Sequence, residues 1–190
     1  MDTPRSDASR IKMIVSDLDG VWTDGRIIYT GDVGVLGSDR TRETKEFNVR
    51  DGLAVKIAQR AGIEVAVLTS RDSKAVARRC SELGIGRLVQ GAGEKASALE
   101  KIADDAALPL DEILYIGDDL PDLAPMALAG LSAAPSDAAA EVARTADWLL
   151  DSRGGAGAIR ELVERLLRER GEWDDVVAGF RAAKVDASGI

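Results

Sequence analysis

The chain contains no histidine. That absence removes Ser-His-Asp triads, histidine metal sites and the usual base that activates a nucleophilic thiol. Cysteine is nearly as scarce. Cys80 stands alone among 190 residues, so no internal disulfide can form, and a reducing compartment, the cytoplasm, is expected. No stretch approaches the roughly 18 consecutive apolar residues of a membrane-spanning helix, so no membrane partner is expected. Positive charge is in deficit: 25 Lys and Arg face 33 Asp and Glu, a formal net charge of -8. A nucleic-acid binder needs a basic face to displace counterions, which excludes that class. The same balance repels phosphate esters unless a bound cation reverses the local sign. Residues 1–10 are polar, lack an apolar signal core and read as a disordered lead-in.

What is present is a globular composition, 45% hydrophobic and 31% charged. The length suits one domain, placed at 11–172, with a C-terminal tail at 173–190. Short apolar runs alternate with amphipathic stretches. Strands are expected at Met13–Ser16, Glu64–Leu68, Arg87–Val89, Ile113–Ile116, Leu131–Ala133 and Trp148–Leu150. Helices are expected between them, from Asp51 as a cap to Ala61, then Ser73–Leu83, Glu94–Ala106, Leu123–Ala129, Ala138–Arg144 and Ile159–Arg170, with Gly62 and Gly84 as stops. Arg26–Tyr29 and Glu43–Val49 read as the arms of a hairpin, about 24–49, joined by a long turn at Gly31–Thr41. The fold class is therefore α/β: a Rossmann-like parallel sheet with helices on both faces, a small β-hairpin insertion after the first strand and no large cap domain. Ligands of such sheets bind at the carboxyl ends of the strands.

Four features fall at those ends. Asp17 and Asp19 follow the first strand. Residues i and i+2 of an extended chain point the same way, so their carboxylates converge. Two such carboxylates resist joint ionisation unless a cation or a proton intervenes, which permits one to attack while the other transfers a proton. Gly20 lets the backbone approach a ligand closely. Thr69, Ser70 and Arg71 follow Glu64–Leu68, where hydroxyls and amides can hold phosphate oxygens. Lys95 opens a helix and can offset phosphoryl charge. Gly117-Asp118-Asp119-Leu120-Pro121-Asp122 follows Ile113–Ile116, and its hard oxygens suit Mg²⁺. Taken singly, each has an ordinary reading: a solvated acidic turn, a helix cap, a surface lysine, an acidic loop.

The order acid pair, hydroxyl, lysine, acid cluster resembles the haloacid dehalogenase superfamily. The segments Asp17–Gly25, Phe47-Asn-Val-Arg-Asp-Gly52, Gln90-Gly91 and Gly154–Glu161 further resemble its capless branch, whose members act on phosphates of eight- and nine-carbon sugar acids. The likeness spans roughly Lys12 to Trp173. It implies an aspartyl-phosphate on Asp17, acid–base work by Asp19, and Mg²⁺ held by the Asp17 carboxylate, the Asp19 backbone carbonyl and Asp118. It further implies Thr69, Lys95 and, more weakly, Ser70, Arg71 and Gly20 around the phosphoryl group, with Asp119 and Asp122 supporting the metal. Departures at Asp51-Gly-Leu-Ala-Val55, Thr69-Ser-Arg71 and Pro121-Asp-Leu-Ala124 touch the pocket wall, leaving the eight- and nine-carbon acids undecided.

The resemblance also implies a homotetramer assembled through the early hairpin, whose Ile27, Ile28 and Tyr29 form an apolar projection. The tail, with Val176, Val177 and Phe180 at helical spacing, can dock on a neighbour or on its own subunit. The competing readings are a phosphatase for another small sugar or polyol phosphate, a phospho-accepting receiver domain and a catalytically silent interaction module. A receiver's accepting aspartate follows a middle strand, whereas Asp17 follows the first. The glycines at 154–157 precede a helix but lack the following strand and acid of a dinucleotide site.

Overall fold

The computed structural model describes residues 7–31 and 42–182. Six parallel strands form the central sheet: β1 (Met13–Ser16), β4 (Glu64–Leu68), β5 (Arg87–Val89), β6 (Ile113–Ile116), β7 (Leu131–Ala134) and β8 (Trp148–Leu149). Their order is β5-β4-β1-β6-β7-β8. Two short strands, β2 (Ile28–Thr30) and β3 (Arg42–Thr44), pair antiparallel as the hairpin inserted after β1. The long turn expected at Gly31–Thr41 lies outside the described residues after Gly31.

Strand residues alternate between two apolar layers, as a two-residue period requires. Ile14, Val65, Val67, Leu114 and Ile116 face one layer, with helices α1 (Val49–Arg60), α2 (Lys74–Leu83) and α6 (Ala158–Glu169). Met13, Val15, Ala66, Leu68, Ile113 and Tyr115 face the other, with α3 (Lys95–Ala106), α4 (Leu123–Leu128) and α5 (Ala140–Thr145). Because β1 is central and buried along its whole length, the residues that leave its end start from a fixed point.

Three boundaries differ from expectation for identifiable reasons. The first helix starts at Val49, capped by Asn48, whose side chain accepts from Arg50 N. Asp51 is inside that helix, fully buried, and accepts instead from Arg160 N at 2.8 Å. Asn and Asp are near-equivalent caps, so local chemistry alone cannot choose between positions 48 and 51. Residues 7–10 are not a loose lead-in: Asp7 caps a 3₁₀ turn, Ala8–Arg10, that buries Ala8 against the core. The tail forms α7 (Trp173–Ala182), with Trp173 buried and Val176 and Val177 packed against the same chain's core. The Arg160 and Arg168 guanidinium carbons lie 5.1 and 5.5 Å from the Trp173 ring centroid, two cation–π contacts that fasten α7 to α6. No helix among the described residues is long and apolar enough to cross a membrane.

Candidate active site

The topology reverses at β1: the chain moves to β4 on one side and β6 on the other, opening a crevice above the strand ends. There Asp17, Asp19, Thr69, Ser70, Arg71, Lys95, Asp118, Asp119 and Asp122 line a cleft of about 330 Å³. Of the larger hollows elsewhere, the one between α1 and α7 is mostly apolar. The one along α6 is lined by arginines and glutamates, with no clustered carboxylates, among the described residues, of the kind that Asp17, Asp118 and Asp122 form.

The inner half of the cleft is a charge network. One carboxylate oxygen from each of Asp17, Asp118 and Asp122 lies within 4.8 Å of the others. Lys95 Nζ bridges Asp17 Oδ1 at 2.9 Å and Asp122 Oδ1 at 2.7 Å. Asp122 is saturated. Its Oδ1 also accepts from the Tyr115 hydroxyl at 2.7 Å, and its Oδ2 from the Asp118 and Asp119 amides at 3.1 and 3.2 Å. It therefore orients the loop and Lys95, leaving Asp17 and Asp118 as the side chains free to hold a cation. Asp119 stands at the cleft wall, but its carboxylate caps its own turn by accepting from Leu120 N. Of the two, Asp122 is the one bonded into the charge network.

Burial, and then the charge of Asp122, push the Asp17 carboxyl up to about 6, against the pull of Lys95. Asp118 is pushed up to about 8 by burial and by the charges of Asp17 and Asp122. Lys95, despite burial, is held more firmly protonated by Asp17 and Asp122. Three close carboxylates with one lysine are short of positive charge. Hard oxygens in that situation fit Mg²⁺, which takes one or two carboxylates and keeps several waters. The backbone agrees: Gly20, at φ +90°, lies so close to Asp118 that a Cβ there would sit 2.0 Å from its Oδ2.

The outer half is built differently. Asp19 lines the same cleft but is not part of the acid cluster. Its Oδ1 accepts from Lys45 Nζ, while Arg71 Nε faces its Oδ2 at 3.8 Å, too far for a hydrogen bond. Asp19 Oδ2 has no hydrogen-bond partner among the described residues. Glu43 binds Arg71 Nη2 at 2.8 Å and lies 3.6 Å from Lys45 Nζ. Glu43 and Lys45 were missed in the sequence because an acid–base alternation on a short strand reads as a solvated edge. The usable signal was their i, i+2 spacing, which puts both on one side of the extended chain along β3 and the residue after it. Thr69 is buried at the end of β4, with Oγ1 accepting from Arg71 N.

An aspartate after the central strand, a lysine bonded to it and an acidic loop opposite are the arrangement of a haloacid dehalogenase-like hydrolase, and the family model of that description matches residues 81–162. The 3-deoxy-D-manno-octulosonate 8-phosphate phosphatase of Salmonella typhi is 39% identical over 168 residues, 88% of this chain and 85% of that protein. The Haemophilus influenzae protein of the same name is 37% identical over 172 residues, 90% and 91% of the two chains. The crystal structure of the Moraxella catarrhalis phosphatase, in complex with magnesium, phosphate and KDO, superposes with a TM-score of 0.85 at 35% identity, covering 92% of this chain and 95% of that one. The chain belongs to the 3-deoxy-D-manno-octulosonate 8-phosphate phosphatase family.

Proposed function

We propose that this chain is a Mg²⁺-dependent phosphomonoesterase that acts on a 2-keto-3-deoxy sugar-acid phosphate of eight or nine carbons, in the cytoplasm, through an aspartyl-phosphate. The observation that carries this reading is the Asp17 carboxylate at the end of β1, with Lys95 Nζ 2.9 Å from one oxygen and Asp118 within 4.8 Å. Bound between Asp17, Asp118 and the Asp19 backbone carbonyl, Mg²⁺ would neutralise the repulsion between carboxylate and phosphate.

The residues then divide the work. Asp17 attacks phosphorus in line while the bond to the sugar oxygen breaks. Lys95, Thr69 and Ser70 hold the transferring phosphoryl oxygens. Asp19 gives its proton to the leaving oxygen, then takes one from water, which attacks phosphorus and frees Asp17 with release of phosphate. Lys45 secures one oxygen of Asp19, while the buried Oδ2 has no hydrogen-bond partner among the described residues, which suits a group that must give and receive a proton. Arg71, with its side chain 39% exposed at the rim, offers a cation to a substrate carboxylate.

The deciding experiment is a panel of sugar-acid, sugar and polyol phosphates assayed with Mg²⁺. The expected outcome is a preference for 2-keto-3-deoxy acids; no such preference returns the substrate to the wider class of small phosphates. A silent module would show no turnover that Asp17→Asn removes. The homotetramer belongs to the same proposal. Ile27, Ile28 and Tyr29 are 48%, 36% and 66% exposed on a two-stranded ribbon, which is marginal alone and is covered if neighbouring hairpins meet. Sedimentation velocity tests it, and a monomer at micromolar concentration contradicts it.

A further inference from the structure

The two segments Phe47–Gly52 and Gly154–Glu161 contribute nothing to the inner cleft, yet they are bonded to one another behind the Asp17–Asp24 loop. Gly155 N donates to Val21 O at 3.0 Å. Asn48 Nδ2 donates to Gly155 O at 3.3 Å, and Arg50 Nη2 to Ala156 O at 3.2 Å. Gly154 N is fixed from the far side by Asp137 Oδ1 at 2.9 Å. The glycine run is thus tied to α1 on one side and to the loop before α5 on the other.

What this frame presses on is Gly20. A Cβ on Gly154 would lie 1.9 Å from Gly20 O and 3.0 Å from Thr23 O, both backbone atoms that cannot rotate aside. On its opposite flank Gly20 meets the Asp118 carboxylate, where a Cβ would be 2.0 Å from Oδ2. Gly154 thus packs on the Gly20 backbone, and Gly20 on the Asp118 carboxylate, each closely enough to leave no room for a methyl group. A close-packed stack transmits displacement, so the position of Gly154 sets how near the Asp19–Gly20 backbone comes to Asp118.

The geometry points to Gly154 as a positioning residue for the phosphoryl-transfer site, with Arg50 and Asn48 as the clamp that holds it. The brace fixes the gap between the Asp17–Gly20 backbone and Asp118, the gap across which Mg²⁺ would be held. It rests on the functional reading above for its activity readout, and not for its metal readout.

Four variants test it: Gly154→Ala, Arg50→Ala, Arg50→Lys and, as the matched control, Gly86→Ala, where an added Cβ has open space. Each is assayed for kcat and KM on 3-deoxy-D-manno-octulosonate 8-phosphate and for the rise in melting temperature on adding Mg²⁺. Gly154→Ala should lower kcat about 100-fold, the scale of a 1 Å misplacement, and lose most of the Mg²⁺-induced rise. Arg50→Ala, an exposed change distant from the cleft, should lower kcat about 3- to 10-fold at unchanged KM, the worth of one hydrogen bond, with Arg50→Lys recovering it. Gly86→Ala should match the wild type. If Gly154→Ala does not fold, the two Arg50 variants decide alone. Wild-type kcat and a wild-type Mg²⁺ response in folded Gly154→Ala, or in Arg50→Ala, overturn the brace. A wild type that hydrolyses no phosphomonoester sinks the functional reading instead, and the brace is then judged on the Mg²⁺ response: lost in Gly154→Ala it stands, kept it falls.

Discussion

The inner and outer halves of the cleft hold similar numbers of charges but obtain their positions from different parts of the molecule. Asp17, Asp118 and Lys95 project from the ends of β1 and β6 and the start of α3, elements buried in the two apolar layers. Tyr115 carries the connection further, since its ring lies in the α3–α4 layer and its hydroxyl in the charge network. Asp19, Glu43, Lys45 and Arg71 instead hold one another, with Glu43 on the three-residue strand β3 and Lys45 just past its end. The inner set is thus held by the core, and the outer set by ion pairs that join the β1 and β4 ends to the inserted hairpin.

The largest test of that division is at its centre. Asp17→Asn should abolish turnover, a loss of at least about 10⁴-fold in kcat as for other covalent nucleophiles, measured against a circular-dichroism spectrum that stays native. Asp19→Asn should cost about 10²- to 10⁴-fold and let a phosphorylated Asp17 accumulate for mass spectrometry. No trapped adduct would sever Asp19 from the second step. Lys45→Met, on the hairpin side, should cost about tenfold, chiefly through a misoriented Asp19, the scale of a charged hydrogen bond. If it costs more than Lys95→Met, the inner half is not the dominant one.

The smallest effect separates buried charge from catalytic charge. Burial pushes Asp51 up to about 6, although Arg160 N, Arg50 and Arg160 oppose it. A carboxyl raised on folding binds its proton more tightly in the native state. Its contribution is therefore best below about pH 4 and declines as pH rises toward 6, by at most about 3 kcal/mol. Asp51→Asn should erase that slope: urea midpoints of variant and parent coincide near pH 4, and the variant is the more stable at pH 8. Activity per folded molecule should change little, in contrast to Asp17.

The sheet was legible because its strands are short, largely apolar and punctuated. Four of the six parallel strands fall at the expected residues, and Gly62 and Gly84, at φ +76° and +70°, end the helices as read. The three loops of the inner cleft, after β1, β5 and β6, were legible for a related reason, since residues that follow the strands of a parallel sheet gather at its carboxyl edge. The hairpin charges were not. Glu43 and Lys45 acquire meaning only when β3 folds back over Asp19, a contact between residues 26 apart in sequence for Lys45 that no local pattern encodes. Asn48 took the cap assigned to Asp51 because the buried pairing of Asp51 with α6 lies 109 residues away. The role of the glycines at 154–157 was likewise hidden, since what distinguishes Gly154 is the atom it would strike.

Asp122 has a consequence of its own. Both its oxygens only receive: Lys95 and Tyr115 give hydrogens to one, two backbone amides to the other. The near-isosteric replacement, asparagine, swaps one receiving end for an NH₂. Either orientation then turns hydrogens toward hydrogens, at Lys95 and Tyr115 or at the two amides. Here the mildest-looking exchange of a single atom is harsher than its size suggests, and glutamate, although longer, at least keeps two ends that can accept.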